Sequence, residues 1–490
     1  MKKYSFLLCI FSAILLMLPF FNGQLWLFSW MGFVPLFFLL ENKTPAKAFF
    51  CSYFCGWIFF TSVLYWLIHV TLLGWIVLNI YLALYFGLFG LIINLSRKQK
   101  DWLLLFFVPS VWVCLEFIRG GFLTGFPWAF MGYSQYENLP VIQIADITGA
   151  YGVSFLLILA NFTIYKLMRD KKSIRFFVAV IIIILFILGY GFFRLNQKFE
   201  GETLRISVVQ GNIPQEEKWQ EDLQSYILGK YLALTAEAVK DKPDIVIWPE
   251  TSVPGYLEEE PLLFYNVSSL AKELKTKLLV GTVASEGPSI YNSATLVSQE
   301  GKIKKRYDKL HLVPFGEYIP FPKVFSFVSD IAPAPIGDFS FGKDYTVFSL
   351  DENKQIAFSV LICFEDVFPY LSRSFVKKGA GFLVNITNDA WFKKTVEPYQ
   401  HLQSSVFRAI ENRVWVVRAA NTGVSCFVDP TGKVVARVQN KDTKEDIFVS
   451  GHKTQDITLE NRPTFYLRFL DVFVFCCFIF SLGSIFIRKR

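Results

Sequence analysis

The sequence predicts an α-helical membrane bundle joined to an exported α/β domain and closed by a terminal anchor. Three observations predict this. The chain is 53% hydrophobic with 53 Phe among 490 residues, far richer than a soluble protein. The apolar residues concentrate in the first 195 positions and again at the end. Between them, from about Leu195 to Phe465, lies a stretch of ordinary globular composition, long enough for one large core.

A membrane-crossing helix needs about 20 apolar residues. Spans are predicted near 4–21, 24–40, 48–69, 72–95, 102–118, 141–167, 176–193 and 466–487. The first has the length of a signal-peptide core, but no small-residue cleavage site follows it and Gly23 leads straight into another span, so it reads as a retained helix. The domain plan is therefore residues 1–194, a membrane domain of seven helices, then the 195–465 domain, then a C-terminal helix in 466–490.

Basic residues fix the orientation. They gather at Lys2 and Lys3, at Lys43 and Lys47, at Arg97, Lys98 and Lys100, from Lys166 to Arg175, and at Arg488, Lys489 and Arg490. These are alternate loops and both ends, and Arg119 is the exception among the remaining loops. Both termini are expected in the cytoplasm, with the 195–465 domain on the far side. The net charge of +8 is mostly this topology signal. The soluble part has no basic stripe with interleaved aromatics, so no nucleic-acid partner is expected.

Six of the eight Cys lie in or beside spans, and Cys51 and Cys55, despite a metal-like spacing, read as packing because no partner ligand accompanies them. Only Cys363 and Cys426 belong to the exported domain. That pair could form a disulfide in an oxidising compartment, but the surroundings of Cys363 argue for another use.

Within the domain, RISVVQGNI, DIVIWPE, KLLVGTVAS, IAFSVLICFED, GFLVNITNDAW and VWVVRAANTG read as strands ending in polar residues. Residues 215–240 and 399–413 have helical spacing. SATLVSQEGKIKKRY and SCFVDPTGKVVARV read as hairpins. In α/β sheets ligands bind at the C-terminal strand ends, and three segments there carry reactive groups: IWPET with Glu250, KLHLVPFGEYIPF with Lys309, His311 and Glu317, and VLICFEDVF with Cys363. A thiol at a strand-to-helix turn is expected to feel backbone N–H groups that favour thiolate. A cysteine nucleophile needs a base and a stabiliser of negative charge; Glu250 and Lys309 could supply them. From spacing alone the signal is weak, because an isolated strand-end Glu is usually solvated and an isolated Lys nearly always is.

These motifs, in this order, resemble the nitrilase superfamily. VVQGNIPQEEKW, IWPETSVP, KLHLVPFGEYIPF, LICFEDVFP, NITNDAWF, RAANTGVS and, in the membrane half, FPWAFMGYSQ resemble the apolipoprotein N-acyltransferase family more closely still. The resemblance implies an αββα sandwich and a Glu-Lys-Cys triad: Glu250 as base, Lys309 as charge stabiliser, Cys363 as nucleophile. It gives Glu317, Glu365 and Trp219 supporting roles. It places Phe364 beside the nucleophile, where relatives often carry Tyr. It implies no cofactor and no metal. The implied reaction passes the sn-1 acyl chain of a phospholipid, phosphatidylethanolamine being the expected donor, through a Cys363 thioester to the α-amine of a diacylglyceryl-cysteine on an apolipoprotein. The implied setting is a bacterial inner membrane, with the domain periplasmic and the protein a monomer. The alternatives are a membrane-tethered nitrilase-type amidase acting on a small amide, and a transporter with an exported binding domain. The latter predicts paired broken helices, for which the sequence shows no symmetry.

The remaining polar residues have plainer readings. His311 is expected in a local hydrogen bond, and Asp366 and Asp389 in loops or caps. Glu116 and Asp146 lie near membrane depth, where function and an intrabundle hydrogen bond are both open. Trp391 and the stretch 321–327 are candidates for acyl-chain contact or for packing.

Overall fold

The computed structural model describes residues 2–320, 338–351, 355–460 and 462–486. The stretch 321–327 therefore lies outside the described residues. Two compact units emerge, one formed by residues 1–197 and 463–490, the other by residues 198–462.

The first unit is helical. Its helices run Lys2–Phe21, Val34–Leu40, Pro45–Val63, Leu72–Ser96, Asp101–Gly121, Leu139–Ile142, Ala145–Thr148, Ala150–Arg169, Ile174–Leu195, Phe465–Phe469 and Val472–Phe486. Caps set several starts: Thr44 accepts from the Lys47 N–H with Pro45 in the first turn, and Thr71 accepts from the Gly74 N–H. Among the described residues, six helices are long and apolar enough to cross a membrane; Phe6–Phe21, Leu139–Thr148 and Val472–Ser484 are shorter apolar helices. The continuous span expected at 141–167 is broken. Gly149 adopts φ +66°, which ends one short helix before the next begins, and a Cβ there would lie 2.7 Å from the Tyr466 ring.

Glu116, Arg119, Asp146 and Arg194 inside this unit each have polar partners. Glu116 Oε1 accepts from the Met131 N–H at 2.7 Å. Arg119 donates to the carbonyls of Phe126 at 3.0 Å and Trp128 at 2.6 Å, and its guanidinium lies 5.0 Å from the Phe130 ring centre. Together they pin the FPWAFMGYSQ stretch. Asp146 pairs with Arg194 at 2.9 Å and accepts from Tyr190 at 2.8 Å.

The second unit holds two six-stranded sheets. The strands are β1 Thr203–Gln210, β2 Ile245–Ile247, β3 Lys277–Glu286, β4 Ser289–Val297, β5 Ile303–Asp308, β6 Phe348–Asp351, β7 Ile356–Ile362, β8 Phe382–Thr387, β9 Trp415–Ala420, β10 Cys426–Val428, β11 Val434–Arg437 and β12 Gly451–Thr458. Their orders are β12-β1-β2-β3-β4-β5 and β11-β10-β9-β8-β7-β6. The inner strands β1-β2-β3 and β7-β8-β9 are parallel and the flanking pairs antiparallel. Strands β2, β8 and β9 are buried at every position, which explains their unbroken apolar runs. The sheets face each other, β1 near β9 and β4 near β7. Helices Gln224–Ala238 and Pro261–Glu273 cover the first sheet, burying Tyr231, Leu263 and Val267 against Val209, Val246 and Trp248. Helices Pro369–Lys377 and Glu397–Asn412 lie on the second. The layers read α-β-β-α, as the resemblance implied. The helix expected from residue 215 begins only near 221, because residues 215–220 form turns that carry a buried lysine.

Candidate functional site

Glu250 sits three residues beyond β2, Lys309 one beyond β5 and Cys363 one beyond β7, so three strand ends deliver the three expected groups. A close approach makes room for the first. Gly281 of β3 lies so near that a Cβ on it would come 2.2 Å from the Pro249 carbonyl and 2.7 Å from the Glu250 Cα. Only glycine lets the loop settle there.

Lys309 is buried, and its Nζ lies 2.8 Å from Glu317 Oε1 and 3.7 Å from Glu250 Oε1. Burial alone would push its pKa down, but the charges of Glu317, Glu250 and Cys363 outweigh burial and raise it. The ammonium is permanent at any physiological pH. Asn292 of β4 links the two acids, donating from Nδ2 to Glu250 Oε1 at 2.7 Å and to Glu317 Oε1 at 2.9 Å. The second Glu317 oxygen accepts from the Val313 N–H at 2.7 Å.

Cys363 is half-buried and occupies the left-handed region at φ +52°. A non-glycine residue there stores strain, common at nucleophile turns. The turn is held from below: the Cys363 carbonyl lies 3.1 Å from Asn385 Nδ2 and 3.2 Å from His401 Nε2. The thiolate expected from helix-end N–H groups is not the resting state. The following helical turn, Cys363–Val367, is only five residues long. Burial and then the Glu250 charge push the thiol well above its ordinary pKa, and Lys309 reverses this only in part. The site therefore favours the neutral thiol, which needs a base to activate it.

Glu365 is fully buried and ties two segments together. Its carboxylate accepts from the N–H of Ile362, just before Cys363, at 2.7 Å. It also accepts from Leu310 and His311, just after Lys309, at 2.7 and 2.9 Å, and from the Tyr307 hydroxyl at 2.8 Å. Burial raises its pKa to about 7, against the pull of the Ile362 N–H and Lys309. The Phe364 ring lies 6.1 Å from that of His311 and 5.1 Å from that of Phe368, which stand 3.8 Å from each other. His311 itself reaches Tyr370 at 3.1 Å. Trp219 and Trp391 are about half exposed and lie outside this polar cluster.

Three features escaped the sequence reading. Asn292 is one. Lys218 is the second: it is buried beside the exposed Trp219 and donates to the Glu250 carbonyl at 2.9 Å. The third is a fully buried layer beneath Cys363. Asp366 and Asp389, expected in loops or caps, belong to it. His401 contacts Asp366 at 2.8 Å and Asp389 at 3.2 Å, and Arg418 contacts Asp366 at 2.8 Å. Asp389, Glu397 and His401 place three ligand-type atoms within 4.8 Å of one another. Both ring nitrogens of His401 are already engaged by these acids and by the Cys363 carbonyl, so the group reads as a hydrogen-bonded floor to the nucleophile. Cys426, in β10, is buried, and both it and the half-buried Cys363 are free thiols.

The arrangement suits covalent acyl chemistry: a thiol, a carboxylate beside it and a fixed cation within reach of both. Residues 205–455 match the carbon-nitrogen hydrolase family, and residues 12–163 match the apolipoprotein N-acyltransferase N-terminal domain. An apolipoprotein N-acyltransferase of Geobacter metallireducens is 38% identical over 97% of this chain and 93% of its own length. That of Nitrosomonas europaea is 32% identical over 89% of this chain and 87% of its own. Among solved structures, a double mutant of the amidase from Nesterenkonia sp. AN1 with acrylamide aligns at TM-score 0.41 and 18% identity, over 58% of this chain and 100% of that one.

Proposed function

The chain belongs to the apolipoprotein N-acyltransferase family, and we propose that it transfers an acyl chain from a membrane phospholipid to the α-amine of a lipid-modified cysteine on an apolipoprotein. The observation that carries the reading is the meeting of Glu250, Lys309 and Cys363, with Lys309 3.7 Å from Glu250 and both charges acting on the thiol. Similarity along nearly the whole chain favours this over a small-amide amidase, which needs no membrane unit.

Glu250 takes the Cys363 proton as sulfur attacks the sn-1 ester carbon. Lys309 and backbone N–H groups hold the charge that develops on the carbonyl oxygen. The lysophospholipid leaves with the proton from Glu250, and the acyl chain stays as a thioester. The acceptor amine then attacks, loses its proton to Glu250 and departs as an amide, which restores the thiol. Glu317 and Glu365 orient Lys309 and the nucleophile turn, Trp219 and Phe364 serve lipid contact, and no metal or cofactor takes part. Phosphatidylethanolamine is the donor we favour. Both substrates are held in the bilayer by about 0.8 kcal/mol per buried CH₂, which explains why the six long apolar helices accompany the domain. The basic residues of alternate loops support termini in the cytoplasm of an inner membrane and a periplasmic domain; reporter fusions after Phe199 test this, and a cytoplasmic signal there overturns it.

The decisive test is the intact mass of the purified protein with phospholipid and no acceptor. Mass should rise by one acyl group, hydroxylamine should remove it, and Cys363→Ser should never acquire a hydroxylamine-sensitive adduct. Unchanged apolipoprotein acylation by Cys363→Ser would sink the reading.

A further inference from the structure

One charged group in the site has no part in this scheme. Lys218 is 2% exposed and donates to the Glu250 carbonyl oxygen at 2.9 Å. It lies within electrostatic reach of the Glu250 carboxylate and the Cys363 thiol. An ammonium has three N–H donors, and among the described residues only one of the three is spent. Burying such a cation is costly unless an opposite charge answers it. A lysine retained only to brace a loop carbonyl would incur that cost for a single neutral hydrogen bond.

The charges show what answers it. Lys309 and Glu317 stand 2.8 Å apart and form a nearly neutral pair. Beneath Cys363, Asp366 and Asp389 face His401 and Arg418, while burial and then Asp389 push the Glu397 carboxyl well above the ordinary carboxylate range, which favours its neutral form. That layer is neutral too. Glu365 lies near Lys309 too, and burial pushes its pKa up to about 7, so it is only partly charged at neutral pH. Glu250 and Cys363 remain. In the acyl-transfer scheme a negative charge passes from the Glu250 carboxylate to sulfur and then to the acyl oxygen. Lys218 is the positive charge left to match it in all three states. Burial pushes its pKa down to about 8 against the opposing pull of Glu250 and Cys363, so it stays mostly protonated at neutral pH.

We propose that Lys218 is a second cation of the site, a positioning residue that fixes the Glu250 loop and keeps the cluster neutral while the proton moves between Cys363 and Glu250. The inference rests on the acyl-transfer roles given above to Glu250 and Cys363.

The test is the rate of Cys363 alkylation by iodoacetamide at pH 7, where Lys218 still carries its charge, in the full-length protein without lipid, read by mass spectrometry on the peptide that contains it. Lys218→Gln should slow labelling about tenfold, as for a thiol pKa about one unit higher. Lys218→Arg should keep the wild-type rate. Lys218→Met removes the same charge without adding an amide, so whichever neutral variant keeps the wild-type unfolding temperature decides the matter. An unchanged labelling rate in that variant overturns the proposal even if acyl transfer falls, because a purely structural lysine would behave so. Alkylation involves no acyl transfer, so this outcome is independent of Cys363→Ser acylation, which tests the parent reading.

Discussion

Asn292→Ala should slow formation of the acyl-enzyme without unfolding the protein. Asn292 Nδ2 donates to Glu250 Oε1 at 2.7 Å and to Glu317 Oε1 at 2.9 Å. Its own Oδ1 has no hydrogen-bond partner among the described residues. The substitution therefore removes two charge-assisted hydrogen bonds from the side chain and no others. Bonds of this class contribute about 1.5–3 kcal/mol each. Only the one to Glu250 bears on the proposed base, so the barrier to the first step should rise by about 1.5–3 kcal/mol, roughly 10- to 150-fold in rate. The lower end applies if Lys309 closes its 3.7 Å gap to Glu250 once the amide is gone. Glu317 keeps Lys309 and the Val313 N–H, so its loss appears as stability rather than rate. The assay is a single turnover with phospholipid and no acceptor, followed by intact mass, beside a thermal unfolding curve. A first-step rate within threefold of wild type in an equally stable protein would refute the claim that this amide positions the base.

Glu250→Gln and Lys309→Met should each lower acyl-enzyme formation by about 10²–10⁴-fold, and together far less than the product, because groups of one site act as a unit; strict multiplicativity in single turnovers would place them in separate sites. Cys426→Ala should keep most activity and mild reductant should leave the wild type active, since both Cys363 and Cys426 are free thiols; reductant-induced loss that Cys426→Ala abolishes would reveal a bridge. Burial pulls the His401 pKa down, but Asp366 outweighs it and pushes the value up to about 10. A raised pKa means its stabilising contribution is complete below the ordinary value of about 6.5 and is lost as pH rises through about 10. Unfolding temperature measured from pH 7 to 10 should thus fall more steeply in wild type than in His401→Gln, and parallel slopes would count against a charged His401.

The strands were legible because parallel, doubly buried strands spell themselves as apolar runs with polar ends. WPE and CFE therefore marked where β2 and β7 stop, β5, antiparallel and half-exposed, was legible as the second arm of a hairpin, and the hairpin turns at Gly301 and Gly432, both at positive φ, were as clear. What stayed hidden depends on pairing across the chain. Asn292 sits inside a strand, where nothing local separates it from its neighbours. Lys218 stands next to Trp219 in one motif, and no local signal says which of two adjacent side chains turns inward. The floor of Asp366, Asp389, His401 and Arg418 draws on residues 52 positions apart, and each alone looks like a surface residue. The resting thiol was misjudged for a related reason. A helix-end argument is local, whereas the desolvation and the Glu250 charge that overrule it come from the fold. The break at Gly149 escaped because hydropathy averages over the one residue that ends a helix.

The antiparallel pairing of β1 with β12 sets Thr203 against Thr458, and the Leu459 N–H donates to the Glu202 carbonyl at 2.8 Å. The αββα unit is thus entered and left through one doorway, its first and last strands zipped side by side. Such a module is topologically an insertion, and excising it would leave two chain ends that a linker of a few residues could rejoin. The same zipper is where tension on the flanking helices would be felt first. Pulled apart from that end, its hydrogen bonds would open one after another rather than shear together, so the weakest mechanical point of the unit is its own threshold.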